Sequence, residues 1–359
     1  MKKIGIITFH RADNYGAVLQ VVALQRSIIG LGYGCEILDY DARAISQNYD
    51  VIVKTSVAEA IKSLLVFDER KRKKQVFAAF RRKNLILSAP VAKGELSDIA
   101  TQYDKLITGS DQVWNYHLTA SDGSYFLDFV EDNNKRLSYA ASFGIGEIPP
   151  EKLEWYREKL AGFAHFSLRE KTGVNLLKNV FGCEAVNDVD PVFLLKADEW
   201  KEMITSRFAE KKYIFAYMLN RECADYVQRL AVAKGMEIVN LAYSKSYRHP
   251  EINVGNCYIA LSPDDFISCI YYADYVVTGS FHATAFSIIF NKQFMVSVPD
   301  NVGSRITDLL DRTGLKKRIL STVSTVAAME LKVDWENVNN VVAKARETSL
   351  KNLRESIEA

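Results

Sequence analysis

The densest chemistry in the sequence lies in Tyr275-Val276-Val277-Thr278-Gly279-Ser280-Phe281-His282-Ala283-Thr284-Ala285. An apolar run that ends in Gly-Ser and continues into small residues predicts a strand, a sharp turn and a helix start. A helix start offers backbone N–H groups to an anion, and His282 adds a group that gives or takes a proton near neutral pH. A second polar run, Gly109-Ser110-Asp111-Gln112-Val113-Trp114-Asn115, follows another apolar stretch. There Trp114 offers a flat face to a sugar ring or an apolar plug, and Asp111 either caps a helix or bonds a substrate hydroxyl. In Phe166-Ser167-Leu168-Arg169-Glu170 the Arg169 guanidinium can hold a carboxylate or phosphate with two parallel hydrogen bonds. The alternative is a structural ion pair with Glu170 or Asp190. Asn14-Tyr15-Gly16 makes either an anion-binding turn or a plain tight one.

Other chemistries lack their residues. No G-x-x-x-x-G-K-[ST] occurs, and no G-x-G-x-x-G follows the first apolar run, which disfavours a P-loop NTPase or a dinucleotide dehydrogenase. His10, His117, His165 and His249 form no ligand spacing, so no metal site is expected. The five cysteines (Cys35, Cys183, Cys223, Cys257 and Cys269) contain no CxxC, and a reduced compartment is the simpler reading.

The elements that must position these groups alternate. Residues 4–9 predict a buried strand, 17–31 a helix ended by Gly32-Tyr33-Gly34, and 35–40 a second strand. Further strands are expected over 106–108, 137–142, 166–169 and 185–189, with a basic helix over 68–83. That helix reads as a solvated face or as a patch for an anionic polymer or a membrane surface. A second alternating series runs from 213 to 313, with strands at 213–219, 237–242, 275–278 and 294–298, and a last helix covers most of 335–357. Strands alternating with helices imply parallel sheets covered on both faces. The expected fold is therefore α/β, with two Rossmann-like open parallel-sheet domains, 1–205 and 206–359, facing across a cleft.

With 359 residues, 48% hydrophobic and 25% charged, the chain is long enough for two cores. A formal net charge of +2 is not that of a dedicated nucleic-acid binder. The N-terminal apolar run stops too early for a signal peptide, and no stretch approaches the roughly 20 apolar residues of a membrane span. A cytoplasmic protein is expected.

The ordered set Asn14-Tyr15-Gly16-Ala17-Val18-Leu19-Gln20, Gly109 to Asn115, Tyr139-Ala140-Ala141-Ser142-Phe143-Gly144, Ser167-Leu168-Arg169-Glu170, Asp190-Pro191-Val192 and Gly279-Ser280-Phe281-His282-Ala283 resembles the polysaccharide pyruvyl transferase family. The resemblance implies a GT-B-like fold and transfer of the pyruvyl group of phosphoenolpyruvate onto two hydroxyls of a sugar. The product is a cyclic pyruvate ketal, made in exopolysaccharide biosynthesis. It places the catalytic histidine at His282 and the donor-binding arginine at Arg169. Ser280 stands where many members carry arginine, which removes one cation, and Arg305 is the candidate replacement.

On this reading the donor is held by Arg169, Ser280, Phe281, Ala283 and Arg305, while His282 and secondarily Asp111 move protons. Asn14, Tyr15, Gly16, Ser110 and Trp114 would hold the acceptor, a sugar that is lipid-linked or nucleotide-linked. The N-terminal domain is then the acceptor side plus Arg169, and the C-terminal domain the donor side. No cofactor or metal is called for, no nucleic acid, and no membrane span, with peripheral membrane association left open. Two rivals stand beside it: a nucleotide-sugar glycosyltransferase of the same plan, and a non-catalytic polysaccharide-binding module.

Overall fold

Short runs of branched and aromatic residues form two parallel sheets, each covered by helices. A computed structural model describes residues 1–242, 250–298, 304–321 and 323–359. In the first sheet, β1 (Lys3–Ile7), β2 (Gly34–Tyr40), β3 (Leu87–Val91), β4 (Lys105–Thr108) and β5 (Arg136–Ser138) take the order β3-β2-β1-β4-β5. Every neighbouring pair is parallel, and Ile4 of β1 lies opposite Cys35 on one side and Lys105 on the other. The helix Tyr15–Gly30 carries the chain from β1 to β2. Its first turn is capped by Asn14, whose side-chain oxygen accepts the Ala17 N–H at 3.2 Å.

Past β5 the sheet continues as single bridges. β6 (Ser167–Leu168) and β7 (Val186–Asn187) pair in parallel, and isolated bridges Asp111 to Ala141 and Ala141 to Leu168 tie them to the end of β4. The strand expected over 166–169 is thus shorter, because the chain turns away at Arg169.

The second sheet repeats the plan. β8 (Tyr213–Tyr217), β9 (Glu237–Leu241), β10 (Asn256–Tyr258), β11 (Tyr275–Thr278) and β12 (Gln293–Val296) take the order β10-β9-β8-β11-β12, again all parallel. Both sheets reverse strand order once, between β1 and β4 and between β8 and β11, which makes each Rossmann-like. Ligands of open parallel sheets bind outside the carboxyl ends of the strands at such reversals.

The chain divides into two compact units, the first Met1–Thr55, Arg81–Leu195 and Lys344–Ala359, the second Ser56–Phe80 and Lys196–Ala343. This differs from a single cut between 205 and 206. The terminal segment rejoins the first unit through long-range polar contacts that no local pattern announces. Arg346 Nε donates to the Phe193 carbonyl at 2.7 Å and Asn352 Nδ2 to Asp188 Oδ1 at 2.8 Å, while Ser349 Oγ accepts the Val189 N–H at 3.1 Å. Among the described residues, no helix is long and apolar enough to cross a membrane.

Candidate active site

In the first unit, the carboxyl ends of β4, β6 and β7 bring four ionisable side chains together. Arg169, directly after β6, donates from Nη1 to Asp190 Oδ2 at 2.8 Å. Its Nε lies 3.6 Å from Glu170 Oε2 and its Nη2 3.8 Å from Asp111 Oδ1. The Arg169 side chain is 3% exposed and that of Asp190 0%. Burial alone would lower the Arg169 pKa, but the charges of Asp190, Glu170 and Asp111 outweigh it and raise it. The ion pair expected as the alternative for Arg169 is therefore present. With three carboxylates around one guanidinium, the cluster repels an incoming anion at this point.

The same cluster is fixed from several sides. Ser142 Oγ donates to Glu170, Ser110 Oγ lies 3.5 Å from Asp190 Oδ2, and Asp190 Oδ1 caps the next turn by accepting the Val192 N–H at 3.1 Å. Asp111 adopts φ of +82°, a conformation unfavourable for a residue with a Cβ. It is held there by Ser142 N–H donating to its carbonyl at 3.1 Å and by its own carboxylate accepting the Gln112 N–H at 2.9 Å. Strained backbone beside a strand end marks positions where the fold sets a side chain deliberately.

Two expectations for the acceptor residues need correction. Trp114 is fully buried, stacked on Phe126 at 5.5 Å and edge-on to Phe163 and Phe166, with Nε1 donating to the Tyr125 carbonyl at 3.1 Å. It plugs an aromatic core and has no face for a sugar. Tyr15, Gly16 and Ser110 are buried as well, so of these five residues only Asn14 is exposed. Sequence reasoning named Trp114 from its neighbours, and neighbours do not report which way a ring packs.

Beside this cluster the structure adds residues that sequence reasoning passed over. His10, after β1, is 1% exposed, with Nε2 2.9 Å from Asp39 Oδ1 and Nδ1 3.2 Å from the Thr8 carbonyl. Arg11 Nε donates to the same Asp39 oxygen at 2.9 Å. Burial would raise the Asp39 carboxyl, but the hydrogen bonds from His10 and Arg11 hold it at about 2. The only signal for this in the sequence was the polar loop after the first strand.

In the second unit, the reversal between β8 and β11 holds the Gly-Ser-Phe-His turn. Thr278 Oγ1 donates to the Tyr217 carbonyl at 2.7 Å and accepts the Ser280 N–H at 3.0 Å, which pins the turn to β8. Ser280 caps the helix Phe281–Ile289, its Oγ accepting the Ala283 N–H at 3.4 Å. Serine at this position therefore opens the helix. The N–H groups of Ser280 and Ala283, expected to bind the donor, are used inside the turn instead. His282 sits in the first turn of that helix, 8% exposed, with the Phe281 ring edge-on at 5.1 Å.

Across the reversal, Asn220 follows β8 and donates from Nδ2 to Ser297 Oγ at 2.7 Å, while its side-chain oxygen accepts the Cys223 N–H at 2.8 Å. Burial pushes the Cys223 thiol up to about 11, so it is no thiolate nucleophile. Arg305 lies half-buried in the helix Ser304–Arg312, which packs against Phe281–Ile289. His249 lies outside the described residues. Among the described residues no group of three His, Cys, Asp or Glu is placed to hold a metal ion.

The family described as polysaccharide pyruvyl transferase matches residues 14–301 of this chain. The chain belongs to that family. The matched region begins at the Asn14 cap and runs past the His282 turn, so in this pyruvyl transferase family member it takes in β4 and the whole reversal between β8 and β11, while β1 lies just ahead of it. No curated protein matches the chain. Among solved structures, the UDP-GlcNAc 2-epimerase from Neisseria meningitidis bound to UDP-GlcNAc has a TM-score of 0.52 at 10% identity, covering 99% of each chain. The Staphylococcus aureus MnaA structure with UDP gives 0.51 at 12% identity, covering 96% of this chain and 91% of that one. The UDP-GlcNAc 2-epimerase from Methanocaldococcus jannaschii gives 0.50 at 12% identity, covering 95% of this chain and 99% of that one. At such identities the likeness is one of fold, the GT-B-like plan of two Rossmann-like units.

Proposed function

We propose that this family member transfers the pyruvyl group of phosphoenolpyruvate onto two hydroxyls of a sugar, in a polysaccharide or its precursor, and closes a cyclic ketal. The observation that carries the reading is His282 in the first turn of a helix opened at the β8/β11 reversal, where a ligand of a parallel sheet belongs.

The chemistry sets what the protein must do. Protonating the methylene carbon gives a methyl group and makes its neighbour electrophilic, one sugar hydroxyl attacks, phosphate leaves, and a second hydroxyl closes the ring. Two hydroxyl protons are released; one is used at the methylene and one departs with phosphate. An imidazole suits such two-way traffic at neutral pH, and His282 is the group assigned to it. The leaving group is already activated, so the reading needs no further cofactor. Phosphoenolpyruvate is a cytoplasmic metabolite, and the reaction is assigned there.

The electrostatics redistribute the expected roles. The donor carries a carboxylate and a phosphate, and the helix start at Phe281 with Arg305 is the more favourable place for them. Arg169, enclosed by carboxylates, serves to set Asp111 rather than to grip an anion. Asp111, partly exposed at 16%, and the exposed Asn14 are then the groups assigned to the hydroxyls of a neutral sugar.

Thermal unfolding with ligands tests this. A ligand present at a hundredfold excess over Kd stabilises the state it binds by about 2.7 kcal/mol. Phosphoenolpyruvate should raise the Tm, free phosphate less, and uridine diphosphate little. Phosphate release from phosphoenolpyruvate should then depend on added acceptor. A strong shift with the nucleotide and none with phosphoenolpyruvate would replace the proposal with glycosyl transfer.

A further inference from the structure

The helix Val57–Leu65 is built inside out. Its N-terminus is regular, with Ser56 Oγ accepting the Glu59 N–H at 3.2 Å. Val57, Ile61, Leu64 and Leu65 recur at the spacing of one helix stripe. In a helix covering a core that stripe faces inward. Here Val57 is 78% exposed, Ile61 and Leu64 55% each, and Leu65 73%, while Ser63, nearly opposite on the helix, is buried. Phe67, which opens the next helix, is 37% exposed.

The helix that follows, Phe67–Asn84, carries the basic run Arg70-Lys71-Arg72-Lys73-Lys74. Lys73, Phe77 and Phe80 form its buried side, the Lys73 ammonium lying 5.5 Å from the centre of the Phe77 ring. Lys71 and Arg72 are exposed, as is Lys54 just before the apolar helix. Exposed branched side chains on one helix thus adjoin exposed cations at both ends of it.

We infer that residues 54–74 form a docking surface for an anionic lipid bilayer, the apolar stripe entering the headgroup boundary and the cations meeting lipid phosphates. Both halves of the pattern are needed to choose this occupant. A polyanionic saccharide would use the cations and leave Val57, Ile61, Leu64 and Leu65 in water. A second copy of the chain would cover the stripe and bring two like-charged runs together. A bilayer with acidic headgroups satisfies both features at once. The surface lies on chain segments separate from the strand-order reversals, and the inference does not depend on the transfer reaction.

The test is flotation of the purified full chain with vesicles of phosphatidylglycerol and phosphatidylcholine in equal parts, beside vesicles of phosphatidylcholine alone. Binding to the mixed vesicles, little to the neutral ones, and release in high salt are expected. The double variant Ile61→Glu with Leu65→Glu and the double variant Lys71→Glu with Arg72→Glu should each bind about tenfold or more weakly. Their Tm should stay unchanged because all four side chains are exposed. Absence of binding to the mixed vesicles would overturn the inference, and so would loss confined to the charge variant. A dimer that the Ile61→Glu, Leu65→Glu variant dissolves, without vesicle binding, would make the stripe a self-association face instead. None of these readouts involves turnover, so failure here leaves the transfer reading standing, and the reverse also holds.

Discussion

A Cβ on Gly279 would stand 2.6 Å from the carbonyl oxygen of Met218. The end of β11 therefore passes the end of β8 at a distance that only glycine allows, directly ahead of the turn that places His282. Met218 itself is bent to φ of +52°. Both reversals thus carry a non-glycine residue in a left-handed conformation, Met218 here and Asp111 in the other unit.

Gly279→Ala should consequently cost about 1–3 kcal/mol of stability, because the obstacle is backbone and cannot rotate away. Denaturant unfolding measures the loss. Phosphate release at a temperature where the variant is folded should also fall, since the turn displaces His282. Wild-type stability and turnover would show that the two strand ends can separate freely.

His282→Ala should lower turnover by about 10²–10⁴-fold. Its stability should change by about 1 kcal/mol, since Ser280 still caps the helix and alanine is at ease in a first turn. Turnover near that of the unaltered protein, from a variant with normal unfolding, would remove the proton-transfer role.

Arg169→Ala should be among the most destabilising single changes, by about 3–5 kcal/mol, because it leaves Asp190 and Glu170 buried without their counter-charge. Arg169→Lys should recover only part of this, since an ammonium cannot serve three carboxylates from one plane. The donor KM of the folded lysine variant should change little. A stable alanine variant with a greatly raised donor KM would return Arg169 to the donor pocket.

Trp114→Ala should cost about 3–5 kcal/mol by leaving a cavity among Phe126, Phe143, Phe163 and Phe166. Asn14→Ala should cost about 1 kcal/mol through the lost cap. If the acceptor meets Asn14, that variant also raises acceptor KM, which steady-state kinetics separates from the loss of stability.

Acid stability should depend on Asp39. Its carboxyl is held at about 2 in the folded chain against an ordinary 3.8. A depressed carboxylate stabilises the fold above the unfolded value and loses that contribution as pH falls through the folded one. The window is therefore from about 4 down to about 2, and the contribution above it is about 2 kcal/mol. Asp39→Asn should be less stable at neutral pH and show a flatter loss across that window. Parallel curves for the two proteins would assign the acid sensitivity to other groups.

The alternation of elements was legible because it is local. The cores of β1, β2, β4, β8, β9, β11 and β12 are apolar runs, and their helices repeat at helical spacing. β3 and β10 went unseen because they are edge strands with little buried surface, whereas β12, the opposite edge of the second sheet, is buried at three of its four residues and reads as an apolar run. β3 contains Pro90, whose missing N–H suits an edge and hides a strand from propensity. The Gly-Ser-Phe-His turn was readable for the same local reason: strand, turn, cap and helix occupy consecutive residues.

What the sequence determined by itself is the order of these elements, the parallel α/β class and the turn that carries His282. Tertiary structure alone decided which partners the charged and aromatic side chains took. Arg169 meets Asp190 twenty-one residues on, Trp114 turns into a ring cluster, and residues 344–359 return to the unit where the chain began. Propensity acts between neighbours along the chain. The pairing of a buried charge or ring depends on which side chains folding brings within a few ångströms, and sequence separation does not record that distance.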